Sequence, residues 1–149
     1  MPLLDESTRN EVQKMLAEMD QPVRLMMFTQ GHGGVPECRT CVEDRELAEE
    51  VASLNGKIHL EVRDIVADAA LAESMGVDKI PALAILGDGS PARDYGIRLY
   101  GIPAGFEFST LIEDVLLVSR QQSGLSKGTL DQISTQREPV HIQVFTTPT

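Results

Sequence analysis

The chain has 149 residues, 42% of them apolar, enough for one packed domain of ordinary size; aromatics are 4% and Trp is absent, so aliphatic side chains and Met must fill its core. Lys and Arg total 13 against 23 acids, and the resulting charge of -10 repels phosphate backbones and argues against a nucleic-acid partner. No run approaches the ~18 apolar residues of a membrane span, and the start, MPLLDESTRN, lacks the basic and apolar regions of a signal peptide, so the expectation is a soluble cytoplasmic protein without a membrane partner.

Val12, Met15, Leu16 and Met19 recur at helical spacing and predict an amphipathic helix over 5–19, with Asp5 and Glu6 at its positive end. Pro22 breaks it. Val23–Thr29 reads as a buried strand because Leu25, Met26, Met27 and Phe28 are continuously apolar. Residues 30–36 carry three glycines and a proline and form a loop. A second helix is expected over 38–54, with Leu47, Val51 and Leu54 on its buried stripe beside Ala48 and Ala52; Asn55-Gly56 ends it. Ile58, Leu60 and Val62 alternate with Lys57, His59, Glu61 and Arg63, a strand with one polar face. Asp68 opens a short helix carrying Leu71, Ala72 and Met75, which Gly76 stops. After Ile80-Pro81 comes a short buried strand, 82–86; Gly87-Asp88-Gly89 turns the chain into a strand over 95–100, with Tyr95, Ile97 and Leu99 on one face. Leu111, Ile112, Val115 and Leu116 mark a long helix over 105–120.

The order is αβαβαββα. A strand-helix-strand start requires a parallel pair with a crossover, and the glycine turn makes the last two strands an antiparallel hairpin. The expected fold class is α/β: a mixed four-stranded sheet flanked by helices over 1–122, with 123–149 as an appendage. QQSGLSKG (121–128) is a linker by composition. Leu130 and Ile133 then mark a short helical stretch, and EPVHIQVFT (138–146) repeats the Pro, Val, Phe and Thr of QPVRLMMFT (21–29), 117 residues later. The segment either completes the first domain as a helix and strand or begins a second copy of it. Val140, Ile142 and Val144 have the alternation of a strand, so residues 129–146 are expected to be ordered and to join a homodimer or an extended sheet.

The strongest chemical signal is Cys38-Arg39-Thr40-Cys41. Two cysteines at this spacing, at a helix start after a parallel strand, suit dithiol–disulfide exchange. The first thiol would lie beside free backbone N–H groups and the positive helix end, which favour thiolate, and thiolate is the nucleophile. Arg39 adds positive charge and Glu37 opposes it. The second thiol would lie one turn in, placed to attack a mixed disulfide and release the substrate. Half of a zinc site is the competing reading, but the further ligands would have to come from His32, His59 and His141, with no second CxxC or HxxxH. Two structural buried cysteines are the other. Ile80-Pro81 lies where the topology brings the chain beside the cysteine-bearing helix; a cis bond there would offer backbone groups to an extended substrate.

Together, the element order, the CxxC and the Ile-Pro before the hairpin resemble the thioredoxin fold. DYGIRLYGIPAGFEFSTLIEDVLLVSR (94–120), the linker and the TTPT ending are similar to the first unit of the glutaredoxin-like protein disulfide oxidoreductases, which join two thioredoxin folds in one chain. The N-terminal portion of the alkyl hydroperoxide reductase flavoprotein is similar in layout, but its first fold typically lacks the cysteine pair. The resemblance implies that Cys38 is the attacking thiol, Cys41 the resolving thiol and Pro81 a cis-proline that, with Ile80, Arg39 and Thr40, meets the substrate. It implies exchange with protein thiols and disulfides, no bound cofactor, and reducing equivalents from another protein or a small thiol. It also implies that the chain stops within a second unit. The loop 31–36 is longer than the family's usual connection, and Arg39-Thr40 replaces its common aromatic or proline. The alternative class is a non-catalytic interaction or redox-sensing module.

Overall fold

The computed structural model describes residues 2–30 and 38–147. Along the chain, α1 (Glu6–Leu16), β1 (Val23–Thr29), α2 (Cys41–Ser53), β2 (Ile58–Asp64), α3 (Ala69–Ser74), β3 (Ala82–Gly87), β4 (Arg93–Tyr100), α4 (Phe106–Arg120) and α5 (Lys127–Ser134) follow one another. Residues 31–36 of the expected loop, His32 among them, and Glu37 after it lie outside the described residues.

The sheet has the order β2-β1-β3-β4. β1 and β2 are parallel, in register from Val23 opposite Ile58 to Thr29 opposite Asp64. β3 runs antiparallel to both β1 and β4. This is the expected mixed four-stranded α/β architecture, and it makes β1 central. Its continuous apolar run follows from that position, because both of its faces are covered. Val23, Leu25 and Met27 join the larger core with α1, α2 and α4; Met26 and Phe28 join a smaller core on the other face, beneath α3.

Local chemistry accounts for the helix ends. Asp5 caps α1 by accepting from the Thr8 backbone N–H at 2.9 Å. Gly76, at φ +67°, ends the turn after α3, a conformation that side-chain-bearing residues rarely adopt. The buried Ser119 hydroxyl donates to the Gln21 carbonyl at 2.7 Å and ties the end of α4 to the entry of β1.

Four expectations need correction. α2 starts at Cys41 rather than Cys38, because the first helical hydrogen bond runs from the Asp44 N–H to the Thr40 carbonyl, at 3.0 Å, and Cys38 to Thr40 form a turn before it. α1 stops at Leu16, although Met19 is still buried beyond it. The hairpin is longer than the Gly-Asp-Gly turn suggests, reaching Gly87 and Arg93, and its pairing shifts: Ile85 faces Ile97 but Leu86 faces Asp94. Tyr95 and Gly96 form that bulge, and Tyr95 keeps the face of Ile97, the two lining one cavity with Leu117 and Val118 of α4.

The fourth correction is the C-terminal strand. α5 forms, capped by Ser126, but none of its residues is buried. Residues 139–147 form no strand, and Val140, Ile142, Val144 and Phe145 are exposed. Alternating side chains specify a face only when a neighbouring strand supplies hydrogen-bond partners, and among the described residues this segment has no such neighbour.

Candidate functional site

β1 delivers the chain to the end of the sheet where Thr29 pairs with Asp64, and α2 returns from there with the cysteines at its start. The parallel β1–β2 pair requires that crossover, so the placement of the CxxC at this end follows from topology. Cys38 and Cys41 are joined as a disulfide, their Cα atoms 5.4 Å apart. Cys38 is partly exposed, and Arg39 and Thr40 are exposed, whereas Cys41 is only 4% exposed. One sulfur is therefore presented to solvent and the other is held beneath it.

Thr40 occupies the N-cap without a side-chain cap bond, so the backbone N–H groups of the first turn of α2 are not claimed by it. Glu43 and Asp44 in that turn complement the positive helix end. A groove of about 290 Å³ opens beside Cys41, lined by Thr29, Gln30, Val42, Arg45 and the end of β2 at Val62, Arg63 and Asp64.

The Ile80-Pro81 peptide bond is cis. Phe28 pairs with Ala82, and one further step of that antiparallel register sets Pro81 level with Thr29, which lines the groove with Cys41. Pro81 is buried, Ile80 is partly so, and the Pro81 carbonyl accepts from the Gly101 N–H at 3.0 Å. The fold thus brings Cys38, Arg39, Thr40, Cys41, Ile80 and Pro81 to one end of the sheet. The Ser90-Pro91 bond, which sequence reasoning passed over, is also cis and lies in the connection at the opposite end.

Neither described histidine lies there. His59 is level with Arg24, at the other end of β2, five residues or roughly 16 Å of strand from Asp64. Its Nδ1 lies 2.5 Å from the Asp88 carboxylate. That contact and Arg24 hold the Asp88 carboxyl below its ordinary range. His141 is on the exposed tail, and His32 is outside the described residues.

Asp44 is the feature that sequence reasoning missed. It is 2% exposed, and its Oδ2 has no hydrogen-bond partner among the described residues. Burial pushes its carboxyl up to about 6 from an ordinary 3.8. In sequence it is one acid among several in VEDRELAEE, where a solvated helix face is the natural reading. The available signal was spacing: Cys41, Asp44, Leu47, Ala48 and Val51 form one helical stripe, and all are buried.

No family model and no curated protein matches the chain. Solved structures do. A protein disulfide oxidoreductase from Aeropyrum pernix k1 superposes with a TM-score of 0.72 and 28% identity, over 89% of this chain and 56% of that one. The alkylhydroperoxide reductase AhpF from Enterococcus faecalis gives 0.76 and 25% identity, over 89% and 60%. A thioredoxin from Fasciola hepatica, at 0.51 and 16% identity over 73% and 92%, agrees in fold alone. The chain spans less than two thirds of the length of the first two. It has the thioredoxin fold and is similar to disulfide oxidoreductases.

Proposed function

We propose that this chain is a thiol–disulfide oxidoreductase unit that exchanges the Cys38–Cys41 dithiol and disulfide with protein substrates through a mixed disulfide. The observation that carries the reading is the disulfide itself, with a partly exposed Cys38 before α2 and a buried Cys41 at its first residue, in this fold. In the reductive direction the Cys38 thiolate attacks a substrate disulfide and releases one substrate thiolate. Cys41 then attacks Cys38 Sγ and releases the other. Pro81, Ile80, Arg39 and Thr40 border this site and dock the substrate chain. Reducing equivalents come from a reductant protein or a small thiol.

We read 1–122 as the catalytic unit and 123–149 as a linker with the start of a second, as in the two-unit glutaredoxin-like oxidoreductases. The repeat of 21–29 at 138–146 and the 56% coverage of the Aeropyrum protein support this. The exposed Val140, Ile142 and Val144 are the surface through which two copies would associate. Among the described residues no helix is long and apolar enough to cross a membrane, and a cytoplasmic setting is the one proposed. Insulin reduction by dithiothreitol, comparing the wild type with Cys38→Ser, is the test. Acceleration by the wild type and none by the variant supports the reading; equal rates would leave an interaction or redox-sensing module in its place.

A further inference from the structure

A cavity of about 430 Å³ opens between the segment before α1, the first turns of α2 and the entry to α4. Leu3, Leu4, Leu47, Ile102, Pro103 and Phe108 line it, and Glu43 is the one charged side chain among its described lining residues. That volume is within the ~300–1,000 Å³ of ordinary ligand sites. Glu43 and Leu47 are four apart and share a helix face; Val42 and Arg45, which line the groove at Cys41, lie on another. The wall before α1 is held in place: the Leu3 and Leu4 N–H groups donate to Glu50 Oε2 at 2.8 and 3.2 Å, and Arg9 pairs with the same carboxylate. On the opposite wall, Gly101 donates to the Pro81 carbonyl at 3.0 Å just before Ile102. That bond puts the cavity at the end of the sheet that carries the disulfide, with Glu43 two residues after Cys41.

Apolar surface and charge together say what fits. Leu3 is 48% exposed at the cavity, and Phe106, next to the lining residue Gly105, is 90% exposed. Apolar surface around a depression is costly in water and marks a place where another apolar group is buried. The stretches that line the cavity, 3–6, 43–47 and 102–108, carry Asp5, Glu6, Glu43, Glu46 and Glu107 as exposed acids. Their single base, Arg45, is paired with Glu49 at 2.8 Å on the other helix face. An apolar hollow with an acidic rim complements an apolar side chain flanked by lysines or arginines, and the net charge of -10 draws such a segment in from a distance. The tail of this chain does not answer that description. Thr146 and Thr147 line a neighbouring cavity with Ile102, Ala104 and Gly105, but residues 138–149 contain no Lys or Arg.

We propose that this cavity is a docking site for a basic partner segment, seating one aromatic or long aliphatic side chain while Lys or Arg residues on either side of it meet the acidic rim. With the oxidoreductase reading above, on which this last step rests, the segment belongs to the substrate. The cavity then selects disulfides that lie beside a basic stretch with an apolar residue in it.

The test is isothermal titration calorimetry of the full oxidised chain with three amidated hexapeptides, KKLFKK, KKAAKK and EELFEE, at low ionic strength. KKLFKK is expected to bind at one site, and each of the other two at least about ten-fold more weakly. Ala104→Trp fills the mouth of the cavity and Glu43→Lys reverses the rim charge; each should weaken KKLFKK about ten-fold. Both positions are exposed, and circular dichroism checks that the variants fold. Equal affinity for KKAAKK would leave only general charge attraction, equal affinity for EELFEE would remove the role of charge, and indifference to both substitutions would place the peptide elsewhere; each overturns the proposal. So does a dissociation constant weaker than about 1 mM for KKLFKK, or its displacement by a peptide of residues 138–147, which would make the tail the occupant. Insulin reduction by the wild type is read separately. If it fails while KKLFKK binds as described, the oxidoreductase reading and the substrate assignment fall and the docking site stands; if it succeeds and KKLFKK does not bind, only the docking site is lost.

Discussion

Replacing Asp44 by Asn should make the oxidised protein more stable at pH 7 than at pH 4, relative to wild type. With the disulfide formed neither cysteine titrates, so the comparison isolates one carboxyl. Its pKa is about 6 folded against an ordinary 3.8, and at about 1.4 kcal/mol per tenfold change this corresponds to about 3 kcal/mol. The sign follows from proton binding. Between these two values the folded state holds a proton that the unfolded state has released, so stability falls as pH rises from about 4 through 6. Below that window the group is neutral in both states and costs nothing as a charge; above it, the folded state carries a buried carboxylate. Other carboxyls with lowered values, among them Glu50, Asp88 and Asp94, give the opposite slope. The total profile therefore mixes signs, and the difference between wild type and Asp44→Asn is what is read. For a domain of this size about 3 kcal/mol is roughly 10 °C in melting temperature, reduced by the cost of burying the amide. Thermal melts followed by circular dichroism at pH 4, 5, 6 and 7 would measure it. A melting difference independent of pH would show that Asp44 is not carried as a buried charge. A difference of opposite slope would mean that it is ion-paired.

Three further outcomes follow from the geometry. In single-cysteine variants, Cys38 should be alkylated faster than Cys41 at every pH, with an apparent pKa below the ~8.5 of a free thiol; the reverse order would exchange the assigned roles. Phe28→Ala empties a fully buried position beneath α3, and urea denaturation should show a loss of about 3–5 kcal/mol. A chain ending at Gln122 should match the full chain within about 0.5 kcal/mol, because no described residue beyond it is buried; light scattering on both would show whether the tail holds two copies together.

What could be read along the chain was what local spacing encodes. The stripe of Leu111, Ile112, Val115 and Leu116 is a helix wherever it packs, and the apolar run of β1 needs cover on both faces. The cysteine spacing and the Ile-Pro are visible as strings; the parallel crossover carries the cysteines to one end of the sheet, and the antiparallel β3 starts at that same end. Three features depended on partners distant in sequence. The alternation in Val140, Ile142 and Val144 implies a strand only if another strand lies beside it, and among the described residues none does. The bulge at Tyr95 and Gly96 exists only in the pairing of β4 with β3. Asp44 is the clearest case. Its neighbours in sequence are charged and solvated, and an isolated helix would expose it too. Only the packing of α2 against the sheet fixes the rotation of the helix about its axis, and that rotation turns Asp44 inward, on the buried stripe of Cys41, while Glu43 stays at the surface. Residue type sets which surface is cheap to bury, but the phase of a helix against its sheet is decided by the whole buried stripe, and one carboxylate is outvoted by Leu47, Ala48 and Val51.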